Sequence, residues 1–361
     1  MTAVRGPPFA GADQPARRSL EIAAVDLPCG AVPVSNEDLA ASPFHTLTVF
    51  RVSGRGPGPA VLLVPPLSGH MPILLRDTVL GLLQFRDVAL LDWVNVRHVP
   101  GRLGSFGFDD NIIAIEQAVR QLGPDVSVLA LCQAGVPALA ATARLAAAAP
   151  AAAPAALALM AAPVDPLANP TELVRFARRI PLSWYRTVPL APVAPGYAGS
   201  GRTVYPARAQ LLALRRFLGR QVARNGELAR KMAQDDGADP ARFPFRDLYT
   251  AVMDIDARHY VENIATIFHT RALAAGRLSC AGETVVPSEI RRTRLMTIEG
   301  ESDPIAAPGQ TAAAHDLCTG LSEAQRTSLV VPACGHFSLF HGDTWRARVL
   351  PALCRHIEGG S

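Results

Sequence analysis

Short apolar runs alternate with amphipathic stretches along most of this chain. Apolar runs of strand length occur at "PAVLLVPP" (Pro59 to Pro66) and "DVALLDW" (Asp87 to Trp93), and between them "MPILLRDTVLGLLQF" has helical spacing. A helix is predicted from about Asp109 to Leu122, then a strand at "VSVLAL", an alanine-rich helix, and a further strand at "ALALMAAP" (Ala156 to Pro163). Near the C-terminus "TRLMTIEGESD" and "TSLVVPACGH" are strand-like, with "GQTAAAHDLC" between them and a last helix through "TWRARVLPALCRHI". Strands that are apolar at every position are buried on both faces, and their alternation with helices predicts an α/β fold with a mostly parallel sheet.

Two segments break this rhythm. Residues 1–50 are polar and proline-containing and read as an N-terminal leader. From Asp165 to Arg291 come proline-rich turns, "RIPLSWYRTVPLAPVAPGY", followed by helical spacing through "AQLLALRRFLGRQVARNGELARKMA". That stretch predicts a helical cap inserted into a core made of 51–164 and 292–361, standing over the C-terminal edge of the sheet. The arginines of the inserted helix read as a solvated face. The low-complexity stretch "ARLAAAAPAAAPAALALMAAP" reads as a helix end with a surface loop.

Composition narrows the classes. The chain has 361 residues, 49% hydrophobic and 18% charged, enough for a substantial core. A net charge of +4, almost all arginine with Lys231 the single lysine, is too small to imply nucleic acid. The N-terminus lacks the uninterrupted apolar core of a signal peptide, and no run is long enough to span a bilayer, so a cytoplasmic location is expected. Six scattered cysteines without CxxC spacing indicate neither a zinc site nor a disulfide framework, and no metal or cofactor is expected.

The chemistry centres on "LALCQAGVPALAA", where Cys132 stands at the junction of a strand and a helix. Taken alone, such a cysteine reads first as a small buried side chain. A nucleophile elbow usually has glycine two positions either side; here Ala130 and Ala134 occupy those places, with Gly135 next. The order of later residues shifts the balance. Asp303 in "EGESDPI" and His336 in "ACGHFSLF" both follow late strands, giving the order nucleophile, acid, histidine. In that set His336 takes the thiol proton and Asp303 holds the ring's tautomer and stabilises the imidazolium. The Gln133 N–H is one expected oxyanion donor, and the second is expected from the loop "PPLSGH", with Ser68 first and Leu67 second. His70 in that loop competes with His336 as the base; the triad order favours His336. Trp184 and Tyr185 are candidates for contact with an apolar substrate, with inward packing in the cap an equally open reading.

The blocks "LLVPPLSGHMPILLRDTV", "LLDWVNVRHVP", "GSFGFDDNI", "LCQAGVPALAA", "EGESDPIAAPGQTAAAHDLC" and "GHFSLFHGDTWRARVLP" resemble, in order, those of the intracellular poly(3-hydroxybutyrate) depolymerases. The resemblance runs from about Pro59 to the C-terminus. It implies an α/β-hydrolase fold, Cys132 as nucleophile with Asp303 and His336 as partners, and mobilisation of cytoplasmic polyhydroxyalkanoate storage granules through an acyl-thioester. Where the family usually has proline after Cys-Gln, this chain has Ala134-Gly135, and its N-terminal region is shorter. Polyhydroxyalkanoate synthases are also similar, but their elbow is glycine-flanked. A synthase-like or coenzyme A-dependent acyl transfer therefore stands as the alternative, with a non-catalytic granule-surface protein behind it. Water or coenzyme A as acceptor, and homo-oligomerisation, stay open at this point.

Overall fold

The computed structural model describes residues 16–17, 19–68, 71–213 and 251–359. Seven strands come before the inserted region: β1 (Ala24–Leu27), β2 (Gly30–Ala41), β3 (His45–Val52), β4 (Val61–Val64), β5 (Val88–Trp93), β6 (Ser127–Leu131) and β7 (Ala156–Met160). Within the insertion lie the short strands β8 (Ala191–Pro192), β9 (Thr203–Tyr205), β10 (Ile255–Asp256), β11 (Ser279–Cys280) and β12 (Glu283–Thr284), and after it come β13 (Arg294–Gly300) and β14 (Arg326–Val331). The main sheet has the order β1-β2-β3-β5-β4-β6-β7-β13-β14. Strands β4, β5, β6, β7, β13 and β14 are parallel, while β1, β2 and β3 join by antiparallel pairing.

The continuous apolar runs are buried on both faces. Leu62, Val64, Val128, Ala130, Leu157 and Leu159 point to one side, where they meet α2 (Phe108–Leu122) and α3 (Gly135–Ala148). Val61, Leu63, Leu129, Leu131, Ala158 and Met160 point to the other, against α1 (Arg76–Leu83) and the C-terminal helix (Leu350–Glu358). The two-residue period of a strand therefore sorts one apolar sequence into two cores. Helix α3 is buried almost all round because its alanines allow it to lie close against the sheet.

The stretch expected as a leader supplies β1, β2 and β3. Strand β2 is mostly exposed, with burial confined to a few positions such as Val34, so its sequence lacks the apolar run that marks the central strands. The described part of the insertion mixes short helices with short strands. Among the described residues it holds α4 (Glu172–Arg179), α5 (Leu182–Tyr185), α6 (Ala257–Asn263), a π-helical turn at Ile264–His269, a three-stranded sheet β10-β9-β8 and a β11-β12 hairpin. The expected arginine-bearing helix falls mainly on 214–250, outside the described residues.

An ion pair and a set of side-chain-to-carbonyl hydrogen bonds fasten this region to the loop after β5. Arg97 makes two bonds to Asp254, at 3.0 and 2.9 Å. Arg202 reaches Asp256 at 2.9 Å, both side chains being buried, and donates to the carbonyls of Val99, Pro100 and Gly104. Satisfying a buried guanidinium with four acceptors is what makes its burial tolerable.

Candidate active site

Strand β6 ends at Leu131, and the chain turns through a 3-10 segment, Cys132–Ala134, into α3. Cys132 has φ of 52°, the left-handed region that a side chain normally avoids. That conformation costs about 1–3 kcal/mol and is retained where surrounding structure enforces it. It is the backbone geometry of a nucleophile elbow, which lifts the side chain above the edge of the sheet. The tight packing falls on Gly135: a Cβ there would lie 2.3 Å from the Ala162 Cβ just beyond β7. Ala134 and Ala130 are buried and fit as alanines. The glycine expected two residues after Cys132 thus has its counterpart three residues after it.

Parallel neighbours carry the other groups to the same edge. Asp303 follows β13 and His336 follows β14. His336 Nδ1 is 2.7 Å from Asp303 Oδ2. The second oxygen, Oδ1, accepts from the backbone N–H groups of Ile305 (2.7 Å) and Ala306 (3.0 Å), which fixes the carboxylate. The His336 ring also hydrogen-bonds Cys132, and with Nδ1 on Asp303 the nitrogen left for the sulfur is Nε2. Burial by itself disfavours a charged ring. The Asp303 carboxylate, the Cys132 sulfur and the hydrogen bonds to both outweigh it and raise His336 to about 10. Phe337 and Phe340 pack edge-on against the imidazole at 5.4 and 5.9 Å.

The structure therefore brings Cys132, His336 and Asp303 together. Such an arrangement can move a proton from sulfur to imidazole and hold the resulting charge on a buried, oriented ring. The remaining cysteines differ. Cys280, Cys318, Cys334 and Cys354 are buried, Cys29 is exposed, and burial pushes the thiols of Cys280, Cys318 and Cys354 to about 11, 12 and 12.

Gln133 opens the helix side of the turn, so its N–H belongs to the first turn, where donors have no intrahelical partner. Leu67 and Ser68 follow β4, which pairs with β6 in register Val64↔Ala130, so their loop rises beside the Cys132 turn. The Trp93 indole holds the base of that loop by donating to the Pro65 carbonyl at 2.9 Å. His70 lies outside the described residues. Trp184 is 37% exposed, whereas Tyr185 is buried within the inserted region, its hydroxyl donating to the Ala177 carbonyl at 3.1 Å. Among the described residues no cluster of His, Cys, Asp and Glu is arranged to hold a metal. No helix among them is long and apolar enough to cross a membrane.

Sequence reasoning missed the groups that brace these loops. Buried Glu299 accepts three backbone N–H groups, from Gly309, Thr311 and Ala312, at 2.9, 2.8 and 3.0 Å. Thr311 in turn accepts from the Ala162 N–H at 2.8 Å, tying the segment after Asp303 to the end of β7. Gly300 lets the Asp303 and His336 loops meet, since a Cβ there would stand 2.5 Å from the Cys334 carbonyl oxygen. The signal for Glu299 was a charge inside an apolar strand run, "LMTIEG".

Comparison with solved structures agrees with the topology. An epoxide hydrolase from Bacillus megaterium superposes with a TM-score of 0.56 at 13% identity, over 88% of this chain and 99% of its own. The hypothetical protein PA2218 from Pseudomonas aeruginosa does so at 0.52 and 12% identity, over 97% of this chain and 100% of its own. At such identities the likeness concerns the fold, which is that of the α/β-hydrolases. No curated protein matches this sequence. The family described as PHB de-polymerase C-terminus matches residues 161–360, and the chain belongs to the PHB depolymerase family.

Proposed function

We propose that this protein hydrolyses polyhydroxyalkanoate, a poly(3-hydroxybutyrate)-type polyester, through a thioester on Cys132. The observation that carries the reading is the hydrogen-bonded chain Cys132–His336–Asp303 with Cys132 in a left-handed turn. Family membership supplies the substrate class. His336 accepts the thiol proton, and the thiolate attacks the ester carbonyl carbon. The oxyanion is met by the Gln133 N–H and a donor from the Leu67–Ser68 segment. As the C–O bond breaks, His336 protonates the departing alkoxide, which leaves as the hydroxyl end of the shortened chain. It then takes a proton from water, whose oxygen attacks the thioester, and returns it to the departing sulfur, releasing a 3-hydroxy acid end and the free thiol.

The region from Asp165 to Arg291 acts in this reading as the substrate-recognising cap. Its surface carries Leu173, Phe176, Trp184 and Val188, all substantially exposed, on one proline-framed stretch suited to a polyester chain. The enzyme works in the cytoplasm at the surface of storage granules, with water as acceptor and no cofactor.

Incubation with amorphous polymer granules tests the whole reading. Soluble hydroxy acids are expected from the parent protein and none from Cys132→Ala. Binding without products would favour a granule-surface protein, and release that requires coenzyme A would reassign the reaction to acyl transfer.

A further inference from the structure

Helix α6 belongs to the inserted region, yet two of its side chains reach the two segments that flank the nucleophile. Asn263 is 6% exposed, and its Nδ2 donates to Gln133 Oε1 at 2.6 Å. His259, one turn earlier on the same face, is 1% exposed; its Nδ1 lies 3.3 Å from the Gly107 carbonyl oxygen, and the ring also hydrogen-bonds the backbone of Leu67. The ring is held between Phe106 and Phe108, at centroid distances of 5.9 and 6.4 Å.

The helix carrying this pair is itself fixed. Asp256 caps it by accepting from the Arg258 N–H at 3.0 Å and also binds Arg202 and the Phe106 N–H. Glu262 accepts from the Phe108 N–H at 2.7 Å, which seats α6 against the start of α2. The bonds from His259 and Asn263 are side-chain contacts that reach both the Leu67–Ser68 loop and the Cys132–Gln133 turn.

We propose that His259 and Asn263 are positioning residues that set the spacing of the two oxyanion donor segments, so that the cap completes the site. This rests on the reading of Cys132 as nucleophile. A cap residue that merely stabilised the fold would affect every property of the site alike. A residue that positions donors affects the step at which negative charge develops on oxygen, and leaves the thiol's reactivity toward an alkylating reagent unchanged.

The test compares the parent protein with Asn263→Leu, Gln133→Leu, His259→Leu and His259→Gln in the full chain. Hydrolysis of soluble 3-hydroxybutyrate oligomers, the rate of Cys132 alkylation by iodoacetamide, and affinity for a short aldehyde are measured together. The aldehyde adds to the Cys132 sulfur and turns its carbonyl oxygen toward the same donors. Asn263→Leu and His259→Leu are expected to lower kcat ~10-fold or more with KM within about twofold. Aldehyde affinity falls in step, alkylation is unchanged, and His259→Gln, which keeps an N–H for the Leu67 backbone, recovers much of the loss. If Asn263→Leu does not fold, Gln133→Leu breaks the same bond from its other end and carries the comparison. Unchanged kcat in both, or a loss of turnover matched by an equal loss of alkylation, overturns the proposal. Full activity in Cys132→Ala would instead overturn the reading on which it rests.

Discussion

Gly135 lies so close to Ala162 that a Cβ on the glycine would stand 2.3 Å from the Ala162 Cβ. The start of α3 can approach the end of β7 only because that atom is missing. The left-handed Cys132 turn sits directly before this contact.

Gly135→Ala is therefore expected to destabilise the protein by about 1–3 kcal/mol, the range for forcing an extra carbon into a packed core. Activity falls further than stability, because relief of the clash displaces Cys132. Adding Ala162→Gly removes the opposing atom and recovers most of the loss. Urea denaturation and oligomer hydrolysis on the two single variants and the double variant check this, and additive losses would contradict it.

Cys132→Ala is expected to abolish hydrolysis with an unchanged melting temperature, and Cys132→Ser to retain only a small fraction, since an alcohol is much harder to deprotonate. In the native protein an alkylating reagent modifies Cys132 and exposed Cys29 while the four buried thiols are spared. Peptide mapping during inactivation should show activity falling with Cys132 alone. Inactivation that follows Cys29 would exclude the assignment.

His336 gives the pH prediction. Its folded value, about 10, lies above the value of about 6.5 expected in an unfolded chain. Protonation of this ring contributes stability that is complete below about 6.5 and is lost as the pH rises through about 10. Asp303→Asn removes the carboxylate that holds the charge, so the limb of kcat/KM that follows this ring moves to lower pH and the rate falls about 10²- to 10⁴-fold. A pH–rate profile with no limb displaced to lower pH would show that Asp303 does not govern the ring.

Trp184 stands half-exposed, edge-on to Tyr185 at a centroid distance of 5.2 Å. Trp184→Ala is expected to lower stability by no more than about 1 kcal/mol. Cleavage of a small soluble ester continues at the normal rate while granule binding weakens several-fold. Sedimentation with polymer granules separates these effects, and equal losses on both substrates would place Trp184 in the cap's core instead.

The central strands were legible because burial on both faces forces an uninterrupted apolar sequence, as in Val61–Val64 and Val88–Trp93. Cys132, Asp303 and His336 were legible because each stands at a strand's end in a fixed order. Strands β1, β2 and β3 differ: with Asn36, Glu37 and Asp38 directed outward or only partly covered, β2 reads as polar leader. His259 and Asn263 were illegible for another reason. Their partners Leu67 and Gln133 lie far away in sequence, and a His and an Asn on one short helix carry no local mark of the contact.

Strand β13 pairs with β7 although the chain leaves the sheet at Met160 and returns at Arg294. For the sheet, everything between is one closed loop, and the entropy of closing a loop grows so slowly that doubling its length costs only about 0.6 kcal/mol. Chain closure therefore sets little limit on the length of that segment; what ties it to the sheet is packing, through residues such as Val174, Met253, Ile267 and Leu278 that share the core with Leu62, Val128 and Leu157. Variation in descent, or grafting by design, is free to act on the length and surface of the segment, provided that it keeps that packing and offers the Cys132 turn and its neighbouring loop the same two points of attachment.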